Sequence, residues 1–174
     1  MAAQKFFNPS EKNRILNIFD FAHRLGINYY RHFHKDLTIK RYDIKTLAEL
    51  EDHEIKPGTF AYLCKYIPAN QDKTDALRKN YFYRICLQDN YILEALSRGD
   101  SFIKFPPLML YIAVHELVHI LRFITHASDF DLPLEERRAE EERVHCLTQS
   151  ILSPVADHEL KLILDCFSNN YQLC

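Results

Sequence analysis

An α+β, helix-rich single domain is the fold this sequence predicts, and three observations predict it. Only three Gly and no Trp occur in 174 residues, which suits helices better than tight hairpins. Two runs rich in aromatic and β-branched residues, Thr59 to Ile67 and Tyr81 to Leu87, are bounded by Pro57-Gly58, Pro68 and Asn80, as strands are. Around them, apolar residues recur at helical spacing through three long segments.

Taken in order, Asn8-Pro9-Ser10 can start a helix, and Ile15, Ile18, Phe19, Ala22, Leu25, Tyr29 and Phe33 repeat at its period, predicting a helix over about 10–36 with one buried side. A small sheet is expected in the region 58–105. Within it, Leu93 to Leu96 fits either a helical turn or a strand end, and Ser101 to Phe105 fits a short extended edge before Pro106-Pro107. Pro is tolerated in a first helical turn, and Leu108 to Ile124 holds no Gly or Pro. The opening LMLYIAV is apolar all round, so this helix should be surrounded by protein. Ser128 to Pro133 connects it to a second helix from Leu134 to Leu152, which Ser153-Pro154 stops; the two motif-bearing helices together span about 107–153. A last helix at about 157–168 carries Leu160, Ile163, Leu164 and Phe167 on one face.

With 47% hydrophobic and 26% charged residues the composition is globular, and one domain over 1–174 is expected. A formal net charge of -2 gives no electrostatic reason to expect a nucleic acid or an anionic membrane as partner. Five Cys, at 64, 86, 146, 166 and 174, contain no Cys-x-x-Cys pair and argue against a disulfide framework. No stretch approaches the roughly 18 uncharged apolar residues of a spanning helix. These features lead to the expectation of a soluble, cytoplasmic chain.

The chemistry concentrates in AVHELVHIL, Ala113 to Leu121. His115 and His119 lie four residues apart, on one helical face, so both imidazoles can reach one ion. Glu116 projects beside them. In the pattern His-Glu-x-x-His this carboxylate takes a proton from the water that the ion activates. With nine His in the chain, such a match arises by chance in roughly three of a hundred sequences of this composition. Its apolar setting raises the weight: two His and one Glu inside Ile112 to Leu121 must otherwise be satisfied one by one, with Glu116 paired to a cation such as Arg122.

A zinc site needs a third protein ligand and an open fourth position. At about 100° per residue, Val144, Leu147, Thr148, Ile151, Leu152 and Val155 define the apolar face of the second helix. Glu141 falls on that face and Glu142 points nearly opposite. Glu135, Glu136, Glu140 and Glu142 read as a solvated charge run, with Arg138 pairing to Glu142.

The run Ile112 to Leu121 resembles the extended zincin signature, and Glu141, Val144, Leu147, Thr148, Ile151, Leu152 and Pro154 fall at the offsets of the second motif helix of compact gluzincins of the ImmA/IrrE type. The metzincin extension is absent, because Arg122 and Thr125 stand where Gly and His would be needed. The resemblance implies a minimal zincin-like domain with a small mixed sheet, an active-site helix and a following ligand-bearing helix. It further implies an intracellular zinc metallopeptidase acting on a protein or peptide substrate, with His115, His119 and Glu141 as ligands of one zinc and Glu116 as base. An edge strand within Ser101 to Phe105 would pair with the substrate backbone. Where gluzincins often carry Asp or Asn four residues after the ligand Glu, this chain has His145. That residue fits three roles: orienting a ligand His, replacing Glu141 at the metal, or donating to the oxyanion. His126 and several Tyr are equal candidates for the last role.

Two other classes compete. Glu116 with His119 and Glu142 with His145 form two Glu-x-x-His pairs, the ligand unit of di-iron carboxylate oxidases, and Glu94 would supply a bridging carboxylate. A His-His-Glu site also admits iron. A silent zincin-like interaction protein would instead use the Tyr29 to His34 cluster, YYRHFH, as a docking surface.

Overall fold

The computed structural model describes residues 5–39, 42–67, 81–98 and 102–168. Its chain order is α1 (Pro9–Arg31), β1 (Tyr42–Lys45), β2 (Ala61–Tyr66), β3 (Phe82–Leu87), α2 (Asp89–Arg98), α3 (Phe105–Ile124), α4 (Leu134–Leu152) and α5 (His158–Ser168). The fold is therefore α+β and helix-rich, with a small mixed sheet of order β1-β3-β2, in which β1 runs parallel and β2 antiparallel to β3.

Helix α1 starts as its sequence requires. The Asn8 side chain accepts from Glu11 N at 2.9 Å while Glu11 Oε2 accepts from Asn8 N at 2.8 Å, so two otherwise orphaned amides are satisfied. Its buried line runs Ile15, Phe19, Ala22, Gly26, Tyr30. It ends at Arg31, short of the expected 36, and Phe33 is exposed, because the chain turns away from the core after Tyr30. Arg31, His32 and His34 are solvated as well, so of YYRHFH only the two Tyr pack inward.

Helix α3 is the central element, packed by α1, α4 and α5, and its residues Met109, Ala113, Leu117, Ile120 and Leu121 are fully buried. Each such Leu or Ile contributes about 1.5–3 kcal/mol. By length and composition alone α3 would span a membrane, contrary to the sequence expectation, but most of it is enclosed by the rest of the molecule. Close approach of α1 is permitted at Gly26, where an added Cβ would lie 3.1 Å from Leu121 Cδ1.

The region 58–105 holds two strands rather than the whole sheet. Leu93 to Leu96 belong to helix α2, and β1 comes from Tyr42–Lys45, four residues too short and mixed for periodicity to reveal. The extended edge expected at 101–105 is not formed: Ser101 lies outside the described residues, Phe102 and Ile103 sit in a turn, and Phe105 already opens α3. Fully buried Asp89 ties the parts together by accepting from Phe7 N and Leu47 N, each at 2.9 Å. Cys64 and Cys86 are buried free thiols, whereas Cys146 carries a disulfide bond.

Candidate metal centre

Helices α3 and α4 lie side by side and bring His115 and His119 from one, and Glu141 and His145 from the other, to one wall of a cleft of about 620 Å³. His119 Nε2 lies 3.3 Å from His115 Nε2. The Glu141 carboxylate lies 3.4 Å from His115 Nε2 and 3.2 Å from His119 Nε2. Four-coordinate zinc with bonds of about 2.0–2.1 Å places its ligand atoms about 3.3 Å apart. The separations are close to that requirement, with the Glu141 carboxylate presenting Oε2 to His115 and Oε1 to His119. A second trio, His115, Glu141 and His145, has ligand atoms within 4.8 Å of one another. Both trios share His115 and Glu141 and differ in whether His119 or His145 completes the set.

Burial raises the Glu141 carboxyl, but hydrogen bonds from His115 and His119 outweigh it and hold the group far below the ordinary carboxylate range. Burial pushes Glu116 up, opposed by the two neighbouring His. This suits a group that accepts a proton and returns it. Burial lowers His119, yet hydrogen bonding to Glu141 and the charge of Glu116 raise it overall. His145 falls to about 4, by burial and then by the charge of His115, so its ring is neutral near pH 7. The buried Nδ1 of His115 has no hydrogen-bond partner among the described residues.

Several side chains stand elsewhere than the sequence suggested. Glu140, read as solvated, is 5% exposed and forms a two-pronged ion pair with Arg122. Periodicity missed this because a buried carboxylate needs a cation on a neighbouring helix, which no single-helix pattern reveals. The same pair removes Arg122 as a partner for Glu116. Glu141 is not in the core but opens onto the cleft, with 44% of its side chain exposed. Val155, expected on the apolar face of α4, is exposed because a tight turn at Ser153–Val155 replaces the helix there. Glu142 pairs with Arg138, away from the trio, and Glu94 pairs with Arg98 on α2. These pairings leave the second Glu-x-x-His unit without its carboxylate. His126 is exposed and ends α3 with a φ of 55°, so it does not line the cleft.

Three features were not singled out from sequence. Tyr111 stands one turn before His115 on the same face of α3, and its hydroxyl contacts His145 Nδ1. Its i, i+4, i+8 spacing with His115 and His119 was the available signal. Phe167 of α5 stacks on Tyr111 with ring centres 4.0 Å apart and planes 4° apart. The opposite cleft wall is the segment Thr59 to Leu63, which runs into edge strand β2. The α3–α4 connection is strapped to that strand by Lys65, which pairs with Asp131 and lies 4.8 Å over the Phe130 ring.

Comparison with protein-family models, with curated proteins and with solved structures returns no match for this chain.

Proposed function

We propose that the protein is a zinc-dependent metallopeptidase hydrolysing peptide bonds of a protein substrate. The observation that carries this reading is the approach of His115 Nε2 and His119 Nε2 to 3.3 Å from each other and to 3.4 and 3.2 Å from one oxygen each of the Glu141 carboxylate, close to the separation of ligand atoms around a tetrahedral ion. The resemblance of Ile112 to Pro154 to the two motif helices of ImmA/IrrE-type gluzincins supports it.

His115, His119 and Glu141 would hold the ion from one side. When bound, zinc supplies Lewis acidity, lowering the pKa of a water and polarising the scissile carbonyl. Glu116, buried and raised in pKa, accepts the water's proton and passes it to the departing amine. Among the described residues, strand β2 is paired on one side, by β3, and the segment leading into it lines the cleft. An extended substrate would add to it by backbone hydrogen bonds, the part first sought at 101–105.

The test combines elemental mass spectrometry on protein prepared without a His tag with proteolysis of β-casein as an unstructured probe. About one zinc per chain, lost in His119→Ala and Glu141→Ala, is expected. Glu116→Gln should keep the zinc and lose turnover. Unchanged turnover in that variant, or iron in place of zinc in freshly purified protein, would overturn the peptidase reading.

A further inference from the structure

One turn beyond His119 the cleft changes character. Phe123 of α3 and Phe130 of the α3–α4 connection both line it and meet edge to face, with ring centres 5.6 Å apart and planes at 68°. Buried Tyr83 of β3 backs the two rings, 5.8 Å from Phe123 and 6.3 Å from Phe130. Phe123 also stacks on His119, ring centres 6.0 Å apart, so the aromatic surface starts at the metal centre itself. Leu132 continues it, and Leu63 lines the β2 wall. Phe123, Phe130 and Leu132 are only half-buried, which leaves part of each to whatever occupies the cleft.

The connection that carries Phe130 and Leu132 is tied to two different elements. Lys65 of β2 pairs with Asp131 and holds its ammonium 4.8 Å over the Phe130 ring, while Arg137 of α4 donates Nε–H to the Leu132 carbonyl at 2.9 Å. These ties fix the apolar surface before a substrate arrives, so little ordering is needed on binding. Four residues of helix separate His119 from Phe123, a rise of about 6 Å, the span of about two residues of extended chain. A large side chain one or two residues from the scissile carbonyl therefore reaches the rings. A methyl group would leave them wet, and a polar amide would lose its water against carbon without gaining a partner.

Resting on the metallopeptidase reading, we propose that Phe123, Phe130 and Leu132 form a specificity subsite for a large apolar side chain of the substrate, on the His119 side of the metal centre, and that Lys65 holds this subsite in shape. The substrate class that follows is an extended segment with Phe, Tyr, Leu or Met within two residues of the cleaved bond, always on the same side of it. Phe130 and Leu132 determine specificity by direct contact. Lys65 is a positioning residue that acts through Phe130.

The test maps β-casein fragments by mass spectrometry and, in parallel, titrates the Co2+-loaded full chain with two hydroxamates, read by visible absorption. Wild-type cuts should be enriched in large apolar residues at one fixed position beside the bond, relative to their share of the substrate. The wild type should bind 3-phenylpropanohydroxamate about tenfold or more tightly than acetohydroxamate, whose methyl group cannot reach the rings. Phe130→Ala and Leu132→Asn should each keep one Co2+ per chain and an unchanged acetohydroxamate affinity, while the preference for the phenyl probe falls below about threefold. Lys65→Met should lower that preference by a smaller factor, again with acetohydroxamate unmoved, a split that general loss of folding would not produce. Phe130→Leu should recover most of it. A wild type without the preference, or a preference that survives both Phe130→Ala and Leu132→Asn, would overturn the proposal and leave the metal centre standing. Failure of the wild-type chain to take up any metal would instead remove the peptidase reading, and this subsite with it.

Discussion

Arg122 on α3 and Glu140 on α4 form a largely buried, two-pronged ion pair, with Nε to Oε1 at 2.5 Å and Nη2 to Oε2 at 2.9 Å, directly beside Glu141. The pair fixes the register of α4 against α3 at the residue before Glu141. Arg122 also donates to the carbonyl of Ala127 at 3.2 Å, so one side chain holds both the helix and the connection leading to it.

Removing one partner should therefore damage both fold and site. Arg122→Met leaves Glu140 with only the exposed Arg143, 3.9 Å away, as a cation, at an expected cost of about 3 kcal/mol in urea unfolding, the low end for a buried pair that loses one partner. The double variant Arg122→Met/Glu140→Leu should recover part of that loss. Zinc affinity should fall in the single variant because Glu141 loses its fixed position. An effect below about 1 kcal/mol would show that the pair does not hold the helices together.

Metal should stabilise the chain by mass action. At a hundredfold excess over Kd, zinc adds about 2.7 kcal/mol to the folded state. For a chain of this length that is a rise of roughly 5–10 °C in Tm. Differential scanning calorimetry should show this shift for the wild type and not for His119→Ala or Glu141→Ala. Equal shifts in all three proteins would place the ion elsewhere.

A separate network sets the response to acid. Glu54 is fully buried beneath the sheet, accepting from Arg84 Nη1 at 2.9 Å and from the Tyr66 hydroxyl at 2.5 Å. Burial raises its carboxyl, but the Tyr66, Glu51 and Arg84 hydrogen bonds prevail and bring it down from 4.5 to about 2. A depressed folded-state pKa contributes stability that is present above 4.5 and lost as pH falls toward about 2. Urea midpoints of the wild type should drop across that window. Glu54→Gln, already destabilised at neutral pH, should lose less over the same range, and parallel slopes for the two proteins would disprove the assignment.

Gly26 tests the α1–α3 contact. An Ala there gains up to about 1 kcal/mol of helix propensity, offset by a Cβ 3.1 Å from Leu121 Cδ1. Since that atom is the movable end of a side chain, Gly26→Ala should change stability by less than about 1 kcal/mol. Gly26→Leu should cost about 1–3 kcal/mol by overpacking. Chemical denaturation separates the two, and a well-tolerated Leu would mean that the helices are not in close contact.

Much of this molecule was legible in the sequence. Asn8-Pro9-Ser10 marked the start of α1, Pro106-Pro107, Ser153-Pro154 and the apolar runs bounded α3 and α4, and the spacing of His115, Glu116 and His119 named three side chains of the candidate centre. Those features are local: caps act within four residues, and a helical face is set by 100° per residue. The same arithmetic put Glu141, rather than Glu142, on the side turned toward α3.

What tertiary structure alone decided are the pairings between elements distant in the chain. It buried Glu140 by placing Arg122 against it, made β2 the wall facing the site, turned Leu93 to Leu96 into helix, and joined Tyr111 to His145 and Phe167 across three helices. Periodicity tells which face of a helix turns inward but not what meets it there. Whether a carboxylate is solvated or buried, or a histidine ligates or donates, depends on a partner brought up by another helix, and only the packed chain supplies that partner.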